Sequence, residues 1–241
     1  IKEAEERLNH LAYYDPLTGL PNRACFLSRL DDLRAKLSDR AWRLSHLYWI
    51  RDKKGRKVRF TPNPAQLKID AELHYLNLIL KARQFGITTW ACIRALDTAL
   101  FRKDTACGLV FHKLSDASAA FVDKILFAYD NLPPSIRRLR QAVSRDNTGL
   151  LRLSNGSSIT VSLSHRSGTL QWLHISEYGK ICARDPIRAK EIQSGALNTV
   201  APGNYVTIEN TAEGQYGDFY AKCQKALELR RTVDWEKRKT A

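Results

Sequence analysis

The sequence lacks the features that would mark a secreted or membrane-spanning protein. Its five cysteines are odd in number, form no C-x-x-C pair and have no nearby histidine at the spacing of a zinc site. A disulfide framework and structural zinc are therefore both disfavoured. No apolar run reaches the roughly 18 residues of a membrane helix, and no signal-peptide pattern opens the chain. We expect a soluble protein of the reducing cytoplasm, without a membrane partner.

Acidic residues are also scarce. The chain has 25 Asp and Glu against 39 Lys and Arg, a net charge of +14 over 241 residues. Acids and bases balance within residues 1–37, so the whole excess lies in 38–241. Such a surplus favours phosphate-rich partners such as nucleic acid, through long-range attraction and counterion release. The length allows one large domain, or one domain with an appendage.

The stretch 76–90, L-N-L-I-L-K-A-R-Q-F-G-I-T-T-W, predicts a buried strand, a short loop and the start of a helix. A phosphate loop is usually G-x-x-x-x-G-K-S/T, with backbone amides and a lysine around the phosphates and the hydroxyl on Mg²⁺. Aligned on Gly86, this chain has Lys81 at the first glycine, Ile87 at the lysine and Thr88 at the hydroxyl. An ordinary loop after a strand is the alternative interpretation.

Another apolar strand is predicted over 170–177 and ends in Ser176 and the carboxylate of Glu177. In ATPases the first acidic residue of such a strand end helps to hold Mg²⁺, and a second residue positions the attacking water. Serine occupies the first place here, so we expect Glu177 to be the catalytic base. Arg166, eleven residues earlier in an R-S-G-T turn, could stabilise charge on the transferred phosphoryl group, or could be a surface arginine.

These motifs occur in a fixed order that ends with E-N-T-A-E-G at 209–214. The ordered set resembles the ATPase domain of large terminase subunits of tailed phages and covers residues 42–229. In that family the loop lysine can move to the start of the loop, as at Lys81, and the acidic motif can carry Ser-Glu. The resemblance implies a P-loop NTPase with a mostly parallel central sheet flanked by helices, which hydrolyses ATP with Mg²⁺.

The resemblance also assigns roles to individual residues. Gln66, in F-T-P-N-P-A-Q, would recognise the adenine edge, although an exposed glutamine at a helix start is an equal alternative. Thr88 would bind Mg²⁺, and Asn210 and Thr211 would couple hydrolysis to motion. The loop that would bind the phosphates consists of Lys81, Ala82, Arg83, Gln84, Phe85, Gly86, Ile87, Thr88 and Thr89.

The implied function is that of a motor domain that translocates double-stranded DNA during genome packaging. Its expected partners are a homo-oligomeric ring of copies, the portal and the small terminase. Full-length terminases continue into a nuclease domain, which we do not expect in this chain. Two alternatives stay open: a DNA-binding or assembly module whose degenerate loop no longer hydrolyses ATP, or another DNA-dependent ATPase. An arginine cluster within 133–145 is a candidate DNA-contacting surface.

The two ends of the chain fall outside this resemblance. Residues 1–37 contain L-A-Y-Y-D-P-L-T-G-L-P-N-R, which resembles the start of a diguanylate cyclase (GGDEF) domain. Cyclase activity in that family needs a later Gly-Gly hairpin, and this chain has no Gly-Gly dipeptide. We therefore predict a helical appendage without cyclase activity over 1–37, and a basic tail over 230–241.

Overall fold

The computed structural model describes residues 10–146, 149–165, 168–212, 214, 215 and 217–232. The strands are β1 (Trp49–Arg51), β2 (Lys57–Arg59), β3 (Leu76–Lys81), β4 (Ala106–Val110), β5 (Ala142–Arg145), β6 (Leu150–Leu153), β7 (Ser158–Ser162), β8 (Leu170–Ile175) and β9 (Val200–Thr211). Seven of them, β3 to β9, form one sheet, and β1 and β2 pair as a separate antiparallel hairpin. The predicted α/β fold is confirmed.

Helices and short helical turns connect the strands. They are α1 (Arg23–Ser38), α2 (Arg40–His46), α3 (Pro64–Ala71), α4 (Ile87–Phe101), α5 (Leu114–Ala120), a π-helix (Phe121–Leu126), α6 (Phe127–Asp130), α7 (Pro134–Leu139), α8 (Tyr178–Arg184), α9 (Pro186–Ser194), a 3₁₀ turn (Ala196–Thr199) and α10 (Gly217–Thr232). Within the described ranges, none of the helices has both the length and the apolar character needed to cross a membrane.

The spatial order of the sheet is β3-β9-β8-β4-β7-β6-β5. The first five strands of this order are parallel, and β6 and β5 are antiparallel additions. Parallel neighbours require crossover connections, which the intervening helices provide. Because β9 lies between β3 and β8, the strand that carries the third motif separates the strand of the phosphate loop from the acidic strand.

Both faces of the sheet are covered. Side chains alternate along a strand, so Trp172 of β8 packs into one core cluster while Leu173 and Ile175 pack into another. Helix α4 covers the first face, where Trp90 meets the edge of Trp172 with ring centroids 6.0 Å apart. Helix α8 lies against the second face, to which it contributes the buried Ile181. The result is a three-layer arrangement with the sheet in the middle.

One local expectation needs correction. Strand β3 forms as predicted but is an edge strand, and Leu76 and Leu80 are exposed instead of buried. Helix α3, which carries Gln66, ends at Ala71, and its first turn is closed by a capping box.

The N-terminal region forms a helix at α1, but most of its apolar side is uncovered. Phe26, Leu27 and Leu33 are exposed, whereas Leu37 packs at the edge of the core. The guanidinium of Arg43 donates hydrogen bonds to the carbonyls of residues 37 and 38. These bonds cross the boundary predicted between the N-terminal appendage and the following domain. The division at residues 37–42 and the likeness to a cyclase start both stay predictions, and most of the predicted tail lies outside the described residues.

Candidate functional site

The carboxyl ends of β3, β9 and β8 meet at one edge of the sheet. Lys81 closes β3 opposite Thr211 of β9, and Ile175 of β8 pairs with Ile208 on the other side of β9. The next positions along the chain, Ser176 and Glu209, therefore fall side by side. In open parallel sheets ligands bind beyond the carboxyl ends of the strands. The motifs that are far apart in sequence thus share one location.

The centre of this site is a buried ammonium between two carboxylates. Lys81 Nζ lies 3.1 Å from Glu177 Oε1 and 3.4 Å from Glu209 Oε2. Its side chain is 9% exposed, and that of Glu209 is fully buried. The structure therefore brings together the lysine and the glutamate to which the sequence motifs assign roles, together with Glu209, which opens the third motif but has no role assigned to it.

Burial by itself would raise the pKa of Glu177. Hydrogen bonds from Lys180 and Lys81 outweigh burial, so the pKa of this carboxyl lies below its ordinary value. Thr211 Oγ1 also donates to Glu177 Oε1 at 3.1 Å. Glu177 is accordingly ionised at neutral pH, which is the state that a proton acceptor needs.

The backbone at Glu177 is in the left-handed region, with φ at 55°. Among the described residues only two other non-glycine positions have positive φ, and one of them, Gln84, lies in the phosphate loop. A non-glycine residue in this region costs about 1–3 kcal/mol and is often found at functional sites. Here the turn directs Glu177 back toward the end of β3, where it meets Lys81.

Glu209 is the carboxylate that links the elements of the site. Its Oε1 accepts hydrogen bonds from Thr88 Oγ1 at 2.7 Å and from Ser176 Oγ at 2.7 Å. Burial would raise its pKa, but the adjacent imidazole of His174, the ammonium of Lys81 and the Ser176 hydroxyl lower the pKa to about 2. The ionised side chain of Glu209 on β9 therefore contacts both the hydroxyl of the loop residue Thr88 and the end of the acidic strand at Ser176.

The loop between β3 and α4 is open to solvent from Ala82 to Phe85. Gly86 ends it with φ at 70° and forms the N-cap of α4. The positive φ favours glycine, and a Cβ at this position would come within 2.8 Å of Gln66 Nε2, so that side chain would have to shift. The first amides of α4, from Ile87 to Thr89, have no partner inside the helix and point toward the loop, an arrangement suited to phosphate.

Gln66 is buried beneath the loop instead of facing an open cleft. Its Oε1 accepts from the amide of Asn63 at 3.0 Å, and its Nε2 donates to the carbonyl of Gly86 at 2.9 Å. Asn63 Nδ2 adds a bond to the carbonyl of Phe85 at 3.0 Å. In this conformation Gln66 holds the loop, and an adenine contact would require it to exchange these bonds. The adenine role stays a prediction.

The two predicted coupling residues connect the site to α8. Asn210 Oδ1 accepts from the amide of Gly179 at 3.0 Å, while Thr211 donates to Glu177 as described above. A Cβ at Gly179 would come within 2.4 Å of Asn210 Nδ2, so this close contact depends on glycine. Arg166, the predicted phosphoryl-stabilising arginine, lies outside the described residues.

Glu209 opens the third motif, but the motif assigned it no role, and the polar pair beneath it belongs to no motif. His174 Nδ1 lies 2.8 Å from Thr207 Oγ1 on the neighbouring strand, and both residues are fully buried. His174 Nε2 lies 3.7 Å from Glu209 Oε1. The available signal was the polar residue at every second position, at 174 and 176 and again at 207 and 209, on strands otherwise apolar.

The residues present are of the kind that Mg²⁺ uses in nucleotide sites. Mg²⁺ usually takes one or two carboxylates, keeps several waters and completes its shell with substrate phosphates. Over the described ranges, no group of three or more His, Cys, Asp or Glu side chains could hold a metal by itself. A site completed by phosphates and water needs only one or two ligands from the protein. The ionised, buried carboxylate of Glu209, in contact with the Thr88 hydroxyl, fits that requirement.

Comparison with solved structures places this geometry in a known fold. The HK97 bacteriophage large terminase aligns with a TM-score of 0.61 at 13% identity, over 81% of this chain and 41% of that one. The large terminase ATPase domain of Thermus phage P74-26 aligns with a TM-score of 0.47 at 15% identity, over 67% and 69%. No family model and no curated protein sequence matches this chain.

Over the aligned part, the fold is therefore that of a phage large terminase, as the ordered motifs predicted. At 13% identity the likeness concerns the fold and not the chemistry, and this chain spans about two fifths (41%) of the HK97 protein. The functional argument consequently depends on the site itself.

Proposed function

We propose that this chain is the ATP-hydrolysing motor domain of a DNA-packaging terminase. The observation that carries the proposal is the 3.1 Å contact between Lys81 Nζ and Glu177 Oε1, at the edge of the sheet where a phosphate loop opens a helix. A cation for the phosphates and a base for the attacking water are thereby held at one place by strands that are distant in sequence.

Each group has a defined part in this mechanism. The amides at the start of α4 and the ammonium of Lys81 bind the phosphates of ATP. Lys81 is engaged with Glu177 and Glu209 in this structure, so incoming phosphates compete with these carboxylates for it. That exchange frees Glu177 to orient and deprotonate water. Mg²⁺, when bound, neutralises charge on the phosphate oxygens.

The coupling step follows from the contacts of β9. Thr211 donates to Glu177, and Asn210 accepts from the amide of Gly179 at the start of α8. A change at the phosphates that moves Glu177 therefore alters the contacts of β9 and α8 together. This is the kind of discrete rearrangement through which hydrolysis can drive motion. Arg166 keeps its predicted role of stabilising phosphoryl charge, from its own subunit or from a neighbour in a ring.

DNA contact is supported by the distribution of charge. The β1–β2 hairpin carries six exposed basic side chains, at 51, 53, 54, 56, 57 and 59, against one aspartate, Asp52. Within the arginine cluster of 133–145, Arg145 is paired with Asp130 at 2.7 Å and Arg140 donates to the carbonyl of Leu100. In the hairpin Arg56 is likewise paired with Asp52 at 2.7 Å, but the exposed basic side chains there are more numerous and closer together. The hairpin adjoins the phosphate loop, since Lys53 Nζ donates to Gln84 Oε1. We therefore favour the hairpin as the DNA-contacting surface.

A non-hydrolysing module is the second candidate, because Ile87 and Ser176 occupy positions that usually carry lysine and an acid. ATP hydrolysis by the wild type, Lys81→Ala and Glu177→Ala separates the two. We expect both variants to lower kcat by about 10²–10⁴-fold, and Lys81→Ala also to weaken nucleotide binding. Lys103→Ala, which removes an exposed lysine outside the site, is the control.

No hydrolysis by the wild type, with or without double-stranded DNA and at high protein concentration, would reject the motor and leave the binding module. Affinity for double-stranded DNA is measured alongside at low and high salt. A motor or module that contacts the phosphate backbone through its hairpin should lose affinity steeply as salt rises.

A further inference from the structure

The acidic strand lacks a carboxylate at the position where NTPases usually place one for the metal. In P-loop enzymes Mg²⁺ is held by the loop Ser or Thr together with the first acid of this strand. Here that first position is Ser176, whose hydroxyl is neutral and donates to Glu209. If the chain binds Mg²⁺ with its nucleotide, another group must provide the negative charge.

Strand β9 brings a carboxylate to the same place. Glu209 follows Ile208, which pairs with Ile175 of β8, so its side chain lies beside Ser176 on the same face of the sheet. The hydroxyl of Thr88, the loop residue expected on the metal, donates to Glu209 Oε1 at 2.7 Å. Glu209 thus makes the contact with the loop hydroxyl that an acid at position 176 would be expected to make.

The second oxygen of this carboxylate is left incompletely satisfied. Glu209 Oε2 is buried and accepts no hydrogen bond from the described residues, although Lys81 Nζ lies 3.4 Å away. A role as the counter-ion of Lys81 alone does not explain this arrangement, because Glu177 already lies 3.1 Å from the same ammonium. An ionised oxygen with spare capacity is the preferred ligand of a hard cation.

We propose that Glu209 supplies the carboxylate of the Mg²⁺ site, in place of the acid that β8 lacks at Ser176. This inference rests on the proposed nucleotide-binding function. Thr88 Oγ1, phosphate oxygens and water would complete the coordination, which needs no further acid from the protein.

The test uses Mn²⁺ as the probe, because the free ion gives a strong electron paramagnetic resonance signal that falls on binding. Mn²⁺ is titrated into the protein with and without ADP, for the wild type and Glu209→Gln. Loss of a group that only hydrogen-bonds to a metal ligand weakens metal binding about 10–100-fold, so we expect loss of a direct ligand to weaken Mn²⁺ binding at least about tenfold. Glu72→Gln, which removes an exposed carboxylate at the end of α3, should leave Mn²⁺ binding unchanged.

A variant that moves the carboxylate from β9 to β8 distinguishes loss of a metal ligand from a general disturbance of the structure. Glu209→Ser should lose Mn²⁺ affinity, and the double variant Ser176→Asp with Glu209→Ser should regain most of it, because the carboxylate returns to β8. Equal affinities of wild type and Glu209→Gln, or failure of the swap to restore binding, would overturn the inference. Binding of a fluorescent ADP in EDTA is measured separately. Its absence would count against the proposed function, whereas ADP binding in EDTA together with equal Mn²⁺ affinities of wild type and Glu209→Gln would overturn this inference alone.

Discussion

Two buried charged clusters in this molecule use their hydrogen-bonding capacity very differently. In the first, Asp97 of α4 is fully buried and both its oxygens are engaged by Arg43 of α2, at 2.8 and 2.7 Å. Tyr48 donates a third bond at 2.8 Å. This cluster fastens the N-terminal helices to the core. It has no carboxylate oxygen left for a ligand.

The second cluster lies at the carboxyl ends of β3, β9 and β8. It places one ammonium, Lys81, between two carboxylates, and Glu209 Oε2 lacks a hydrogen bond from the described residues. Buried charge that is fully paired contributes to structure, whereas buried charge with capacity to spare is costly unless something binds it. The comparison therefore separates a structural cluster from a candidate binding site without reference to sequence motifs.

The largest effect on stability should come from the first cluster, in which both oxygens of Asp97 are engaged. Asp97→Asn leaves the guanidinium of Arg43, 7% exposed, without its counter-ion. Removing one partner of a buried pair typically costs about 3–5 kcal/mol. Urea unfolding should show this loss of the free energy of unfolding, with nucleotide binding retained wherever the protein is folded. Asp31→Asn, in an exposed pair with Arg34, is the control and should have no measurable effect.

A smaller effect on the free energy of unfolding, which depends on pH, should come from Glu209 in the second cluster. The pKa of Glu209 is lowered from 4.5 to about 2, so its ionised form stabilises the folded state above pH 4.5. That contribution is lost as the pH falls through 4.5 toward 2, when the folded carboxylate finally takes up a proton. The shift corresponds to roughly 3 kcal/mol.

The measurement is the difference in free energy of unfolding between wild type and Glu209→Gln, followed from pH 7 downward over the range in which both fold. The advantage of the wild type should shrink as the solution becomes more acidic. A difference that stays constant with pH would show that Glu209 does not carry its charge in the folded state.

The smallest effect should come from a neutral contact beside the site. Asn63→Ala removes the cap of α3 and the bond to the carbonyl of Phe85, and caps of this kind contribute about 1 kcal/mol. Asn63→Asp keeps an oxygen for the cap but loses the amide donor, so its melting temperature should fall less. Hydrogen exchange at residues 82–86 should nevertheless be faster in both variants; protection equal to the wild type would show that Asn63 does not hold the loop.

Much of the fold could be predicted because its signals are local. The apolar runs of β8 and β9, the single glycine before α4 and the Asn63-Pro64 start of α3 each correspond to an element of the structure. The edge position of β3 could not be predicted, because it depends on which strands pair across more than a hundred residues. Exposure at Leu80 follows from that pairing and not from the composition of the strand.

The candidate site shows the same division. The motifs assign roles to Lys81, Thr88 and Glu177. Glu209 opens the third motif without an assigned role, and its position in the site depends on the register of β9 against β8. Likewise, Gln66 is helix-initial as expected, but its burial depends on how the loop folds over it. Sequence indicates which groups are available, and non-local pairing decides which of them meet.

Because the register of β9 positions Glu209, a change near the start of this strand can alter the site at its other end. Removing one residue near the exposed Gly203, with the start of the strand held in place, would shift the pairing register of the rest of β9 by one residue and turn every later side chain to the opposite face. Glu209 would then point away from Thr88 and Ser176, and an amide or an aliphatic group would take its place. A single deletion could thus empty the site of its central acid without altering any residue that contacts it.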